Sequence, residues 1–148
     1  VHVRQDFAMQ YWLMKSEPDV FSWDDLVKKT RTEKHGAEWD GVRSHQAQNN
    51  MKAMRKGDLS FFYHSNIGLE IVGIMEIVEE AGPDSTDEGG KWVSVHVAAQ
   101  KKLAKPVTLK AMKADSALQG MIVLRQSRLS VAPVSAVEFA HILELAGE

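Results

Sequence analysis

Aromatic residues set beside polar ones are the feature of this chain with the most chemical content. Trp12 opens "WLMKS", which brings Lys15 and Ser16 into one short stretch, and Trp23 lies in "FSWDDL". Trp39 begins "WDGVRSHQAQNN", where a glycine leads into Arg43, Gln46, Asn49 and Asn50. Tyr63 precedes His64 and Ser65, and "RQSRLSV" supplies Arg125, Gln126, Ser127 and Arg128. Aromatic faces combined with amide and hydroxyl groups suit a slot for a flat heterocycle. Stacking contributes roughly 1–3 kcal/mol per base, and polar edges read the donors and acceptors of the ring. Trp12 and Trp92 stand in strand-like surroundings and read as core. Trp23 and Trp39 stand in polar surroundings at expected helix entrances and read either as core or as aromatic faces of the slot.

Other chemistries find little support. The six histidines show neither an i, i+4 pair nor a metal-type spacing. Ser65 follows His64, but neighbours on a strand point to opposite faces, and no Gly-x-Ser-x-Gly elbow occurs. Neither a Gly-x-Gly-x-x-Gly run nor a phosphate loop ending in Gly-Lys-Ser/Thr is present. The chain has no cysteine, which excludes disulfides, thiol catalysis and cysteine-based zinc sites. No cofactor is expected.

At 148 residues, with 44% hydrophobic and 26% charged positions, the composition is that of one globular domain with a sizeable core. No apolar run approaches membrane-spanning length. "VHVRQDFA" lacks the apolar core of a signal peptide, so residues 1–8 read as a tail, residues 9–148 as one domain, and a cytoplasmic location is expected. The formal net charge is −2, unevenly spread. Residues 57–90 hold eight acids and no lysine or arginine, whereas residues 91–128 hold eight bases against Asp115 alone. Such a basic segment either presents a positive face to an anion or is an ordinary solvated surface.

The elements that must position these residues are mixed. "YWLMKS" (11–16) predicts a strand ended by Pro18, and Ser22 predicts an N-cap for a helix through Lys28, followed by a polar loop. Residues 42–54 predict a helix that ends before Gly57. Strands are expected over 58–65, over 69–81 with a bend or bulge near Gly73, and over 91–103. Thr108 caps a short helix after a chain reversal, 122–134 carries one or two strands, and Ser135 with Glu138 forms a capping box for a last helix to Ala146. Sequential strands with few long crossovers predict an α+β fold with a mostly antiparallel sheet curled into a small barrel.

Six stretches in order, "YWLMKSEPDVFSWDDL", "WDGVR", "KGDLSFFYHSN", "IVGIMEIV", "KPVTL" and "LRQSRLSVAPV", resemble the EVE domain family of the PUA-like superfamily over residues 9–147. The resemblance implies a small, mostly antiparallel β-barrel flanked by helices, related in fold to the YTH domains that read methylated adenine in RNA. It further implies recognition of a modified base, chiefly modified cytosine in DNA. Residue by residue, Lys15 and Ser16 match a strand end facing the pocket, Trp23 and Trp39 its two walls, and Gly41, Val42 and Arg43 the turn into the helix. Tyr63, His64 and Ser65 match a second pocket-side strand end, and Arg125, Gln126, Ser127 and Arg128 a late polar strand. Where the family continues Arg-Asn-Tyr-Gln-Ala-Arg-Asn, Ser44, His45 and Gln48 replace Asn, Tyr and Arg.

Arg43 has two open roles, bracing the scaffold through a carboxylate such as Asp40 or Glu17, or touching the ligand. Asn49 and Asn50 read as helix-surface or loop-bracing residues. Lys52, Arg55, Lys56, Lys101, Lys102 and Arg128 are candidates to steer a phosphate backbone. The functional expectation is a non-catalytic module binding modified DNA or RNA, monomeric, with any output supplied by a separate effector protein. The alternatives are an RNA-binding accessory domain and a small enzyme acting on a nucleotide.

Overall fold

A computed structural model describes residues 9–148; the tail expected over residues 1–8 lies outside the described residues. The chain runs β1 (Tyr11–Ser16), α1 (Trp23–Thr32), β2 (Ala37–Trp39), α2 (His45–Ala53), β3 (Leu59–His64), β4 (Glu70–Pro83) and β5 (Val93–Thr108). It continues with α3 (Leu109–Ala114), a 3-10 turn (Ser116–Leu118), α4 (Ile122–Arg125), β6 (Val131–Val134) and α5 (Ala136–Leu145). The six strands form one sheet in the order β2-β5-β4-β3-β1-β6. Only the β1–β3 pair is parallel, so the sheet is mostly antiparallel as expected. No helix among the described residues is long and apolar enough to cross a membrane.

The edges β2 and β6 are not hydrogen-bonded to each other, so no ladder closes the sheet. Helix α2 does part of that work. Its Gln48 amide donates to Val93 O at 2.9 Å and accepts from Val93 N–H at 3.0 Å, at the start of β5. Two residues on, Asn50 Nδ2 donates to Val131 O at 2.7 Å, at the start of β6. On a flat sheet β5 and β6 would lie four strand spacings apart, roughly 19 Å. A helix about 10–12 Å across reaches both only if the sheet curls around it. Asn50 therefore braces as the sequence indicated.

Local signals explain most element ends. Ser22 and Asp25 make the reciprocal capping box of α1, at 3.1 and 2.9 Å, with two acids in the first turn. The helix runs beyond Lys28 to Thr32, because Thr30 Oγ1 bonds Leu26 O and accepts from Ala99 N–H, tying the extra turn to β5. β2 lies in the stretch expected to be loop. Gly36 admits it: φ is +71°, and a Cβ there would sit 2.5 Å from Val97 O. Trp39 thus ends a strand instead of opening a helix, and α2 begins at His45, with Ser44 as its N-cap. Thr108 caps α3 as expected, but the chain reaches it along β5 without reversing. Residues 122–125 form a helix, leaving one strand at 131–134.

The core holds Trp12 but not all of Trp92. Trp12 is buried, with its indole N–H on the buried Asp58 carboxylate at 3.0 Å. That carboxylate also accepts from the backbone N–H groups of Gln10 and Arg55, joining the start of β1 to the turn before β3. Trp92 lies just before β5, half-buried, under Lys91 and Arg43. Helix α5 is anchored by Phe139, stacked on Tyr11 at 4.3 Å and on Phe61 at 4.1 Å.

The bend expected near Gly73 is present as register shifts of β4 against both neighbours. The glycine also has a packing function. The indole of Trp23 lies against it so closely that a Cβ would stand 2.5 Å from two ring carbons. Gly73→Ala is expected to displace Trp23 and to destabilise the fold by about 1–3 kcal/mol, measured by urea unfolding followed through tryptophan fluorescence. Unchanged stability would contradict this packing.

Candidate functional site

The parallel strands β1 and β3 end side by side, and a cavity of about 1000 Å³ opens there. Lys15 and Ser16 enter it from β1, Tyr63 and Ser65 from the end of β3, and Trp39 from the end of β2. The turn after α4 adds Ser127 and Arg128, and Arg43 completes the opposite side. Eight of the twelve expected site residues therefore border one space.

The other four do not. Trp23 is buried against Gly73 and Phe62, so the two expected indole walls are not a pair. Trp23 and Trp39 each meet Phe62 edge-on, at 5.6 and 5.5 Å between ring centres, and only Trp39 borders the cavity. Its aromatic companion is Phe21, perpendicular to it at 6.2 Å and 86°. Phe21 is half-buried in the loop before α1, where no periodicity singles it out. His64 faces away from Ser65, as strand alternation requires, and its Nε2 accepts the Trp23 backbone N–H at 3.2 Å. Burial, against the opposing fields of Glu70 and Asp24, holds His64 below the usual histidine value. Arg125 and Gln126 are exposed at the end of α4 and outside the lining, because this segment is helix and turn where a strand was expected.

Lys15 is the best-defined cation of the cavity. Its Nζ donates to Ser127 O at 2.9 Å and lies 5.7 Å from the Tyr63 ring centre. Burial lowers its pKa below the ordinary lysine value and raises that of Tyr63 above the ordinary tyrosine value. Ser16 is committed to structure, its hydroxyl donating to Phe21 O at 2.6 Å, so it fixes the aromatic loop beside the cavity.

The turn "DGVR" is held from below by Asp84, whose side chain is fully buried. Burial opposes ionisation of this carboxyl. The Thr86 hydroxyl at 2.6 Å, the N–H groups of Gly41 at 2.9 Å and Thr86 at 2.8 Å, and Arg43 Nη1 at 3.0 Å outweigh it and hold the pKa at about 2. Arg43 does brace the scaffold, though its partner is Asp84 and neither Asp40 nor Glu17, and it still borders the cavity. Asp84 sits in an acid-rich loop where nothing in the sequence distinguishes it from its neighbours. Above it, Asp40 takes up a proton more readily than an ordinary aspartate, because of burial and the nearby charges of Asp84 and Glu38.

The expected phosphate-steering residues are scattered. Arg55 and Lys56 precede β3, at the opposite end of a six-residue strand from the cavity, roughly 20 Å away. Lys52 is exposed near the end of α2. Lys101 is ion-paired with Glu148, and Lys102 is exposed opposite Gly73. The bases that border the cavity are Lys15, Lys29, Arg43, Lys113 and Arg128, against the acids Glu17, Glu38 and Asp40. Lys29 and Lys113 were not singled out by the sequence.

A sequence model of the EVE domain matches residues 10–145. The chain belongs to the EVE domain family. Mouse thymocyte nuclear protein 1 is 36% identical over an alignment covering 91% of this EVE domain chain and 73% of the mouse protein. The solved structure of Rpa0253 from Rhodopseudomonas palustris is 51% identical, covers 94% of each chain and superposes with a TM-score of 0.87. A crystal structure of human THYN1 in complex with 5-methylcytosine-containing DNA is 32% identical, covers 94% of this chain and 98% of the other, and gives a TM-score of 0.80.

The Asp84 clasp of this EVE domain carries a pH signature. Its folded pKa of about 2 lies below the ordinary 3.8, so its contribution is complete above the unfolded value and lost as pH falls through the folded one. The difference corresponds to about 2 kcal/mol. Asp84→Asn is expected to lose about that much stability at neutral pH and to flatten the acid limb between the two values, as followed by denaturant unfolding at stepped pH. An unchanged acid limb would show that Asp84 is not the group responsible.

Proposed function

We propose that this EVE domain binds nucleic acid and receives a modified base in the cavity bordered by Trp39 and Phe21, without breaking a bond; modified cytosine in DNA is the first candidate. The observation that carries this reading is the perpendicular Phe21–Trp39 pair, Phe21 half-buried and Trp39 buried, in the wall of a cavity that polar and charged side chains also border. One ring can stack on a base while the other meets its edge. The human relative's complex with 5-methylcytosine-containing DNA supports the choice of ligand.

The cavity chemistry agrees with such a ligand. A carboxylate is a natural acceptor for the exocyclic amine of cytosine, and Asp40 borders the space. Lys15, held by Ser127 O and half-desolvated, can donate to a carbonyl edge or to a phosphate. Extruding a base costs a few kcal/mol, which stacking and edge hydrogen bonds offset. The basic rim adds a contribution that falls with salt.

The test is titration of short DNA and RNA strands that carry cytosine, 5-methylcytosine, adenine or N6-methyladenine, at physiological salt. The expected result is preference for one modified base over its unmodified parent. Phe21→Ala, at a half-buried position, should weaken that binding by about 1–3 kcal/mol, roughly fivefold to 150-fold. Equal, weak binding to every strand, unaffected by Phe21→Ala, would reject the reading. Preference for an RNA strand would select the accessory role in RNA processing.

A further inference from the structure

The turn between β3 and β4 borders the cavity through Ser65, Asn66 and Leu69 and also carries apolar side chains into solvent. Five large apolar side chains are strongly exposed among the described residues: Met9, Val20, Ile67, Leu69 and Val137. Ile67 and Leu69 share this turn, and Leu69 borders the cavity. Ile67 itself is 59% exposed and outside the cavity lining. On the far side of the turn lies a second hollow of about 610 Å³, formed with helix α3. Leu69, Leu109 and Lys113 border both spaces, so the turn is a ridge between them.

The ridge is shaped tightly. Asn66, Gly68 and Leu69 have φ of +65°, +90° and +49°. A leucine in the left-handed region is costly and persists only where its surroundings fix it. They do so here: Ser65 N–H donates to Ser16 O at 2.9 Å, and Leu109 N–H donates to Leu69 O at the same distance. The turn is thus pinned to the end of β1 on one side and to the start of α3 on the other. Helix α3 adds Lys110 and Lys113 beside it.

Resting on the base-binding reading above, we propose that this ridge is a wedge: Ile67 enters the base stack of a duplex and occupies the space left by the base held in the cavity. An apolar side chain between base steps is a known way to stabilise an unstacked duplex. Lys110 and Lys113 then meet the phosphates beside the wedge. The wedge matters only where a base must leave a stack. It therefore acts on duplex and not on single-stranded ligand.

The experiment compares Ile67→Ser with the unaltered protein and with Val137→Ser, a still more exposed apolar position on α5. Affinity is measured for one preferred modified base presented in a duplex and in a single strand, with 2-aminopurine beside it to report unstacking. The expected result is at least a tenfold loss for the duplex with Ile67→Ser, single-strand affinity within twofold, a lost 2-aminopurine signal, recovery with Ile67→Leu, and no effect of Val137→Ser. Equal effects on duplex and single strand, or no effect on either, would overturn the wedge while leaving the base-binding reading intact. If the unaltered protein prefers no modified base in a single strand, the base-binding reading fails, and the wedge fails with it.

Discussion

The open sheet must be held curled, and the segment from Trp39 to Asn50 is what holds it. Helix α2 has side chains on both β5 and β6, through Gln48 and Asn50. The turn leading into it is fixed by the buried Asp84, which accepts from Gly41 N–H and Arg43. Because the same turn carries Trp39 at one end and Arg43 at the other, the cavity is positioned by the closure itself. A loss of register in α2 would move the aromatic rim, the cation beside it and the edge strands together.

This arrangement separates structural charge from usable charge. Asp84 is satisfied four times over and stays ionised although buried, so it serves as an anchor. Asp40 has no such set of donors and is pushed toward protonation by burial and by the acids beneath it. Lys15 is likewise pushed toward neutrality. Burial and neighbouring charge thus shift two groups that border the cavity toward their neutral forms.

Much of the fold could be read from the chain because its signals are local. The N-cap at Ser22, the capping box at Ser135, the Thr108 cap and the bulge at Gly73 depend on residues a few positions apart. What escaped depends on distant partners. β2 is three residues long and exists because Gly36 lets the chain approach Val97. Trp23 and Trp39 carry the same side chain in similar polar company. Both indoles are buried on Phe62, but Trp23 lies on the bare backbone of Gly73, fifty residues away, while Trp39 borders the cavity. The same holds for Asp84, one acid among eight in its stretch, distinguished only by what reaches it in space.

The positions where this chain departs from the run that the resemblance implies all have structural partners, and Ser44 also borders the cavity. Ser44 is the N-cap of α2, accepting from Ala47 N–H. His45 packs on Trp92 at 5.1 Å. Gln48, where an arginine is usual, is buried and satisfied by the backbone of Val42 and Val93. A neutral amide can be buried there with every polar atom paired; a guanidinium without a carboxylate could not. Gln48 thus ties α2 to β5, while Trp39 and Arg43, which the family resemblance retains, border the cavity together with Ser44. Phe21, Asp40 and Lys15, which also border the cavity, have their surroundings set by the loop before α1, the Asp84 clasp and the Ser127 turn.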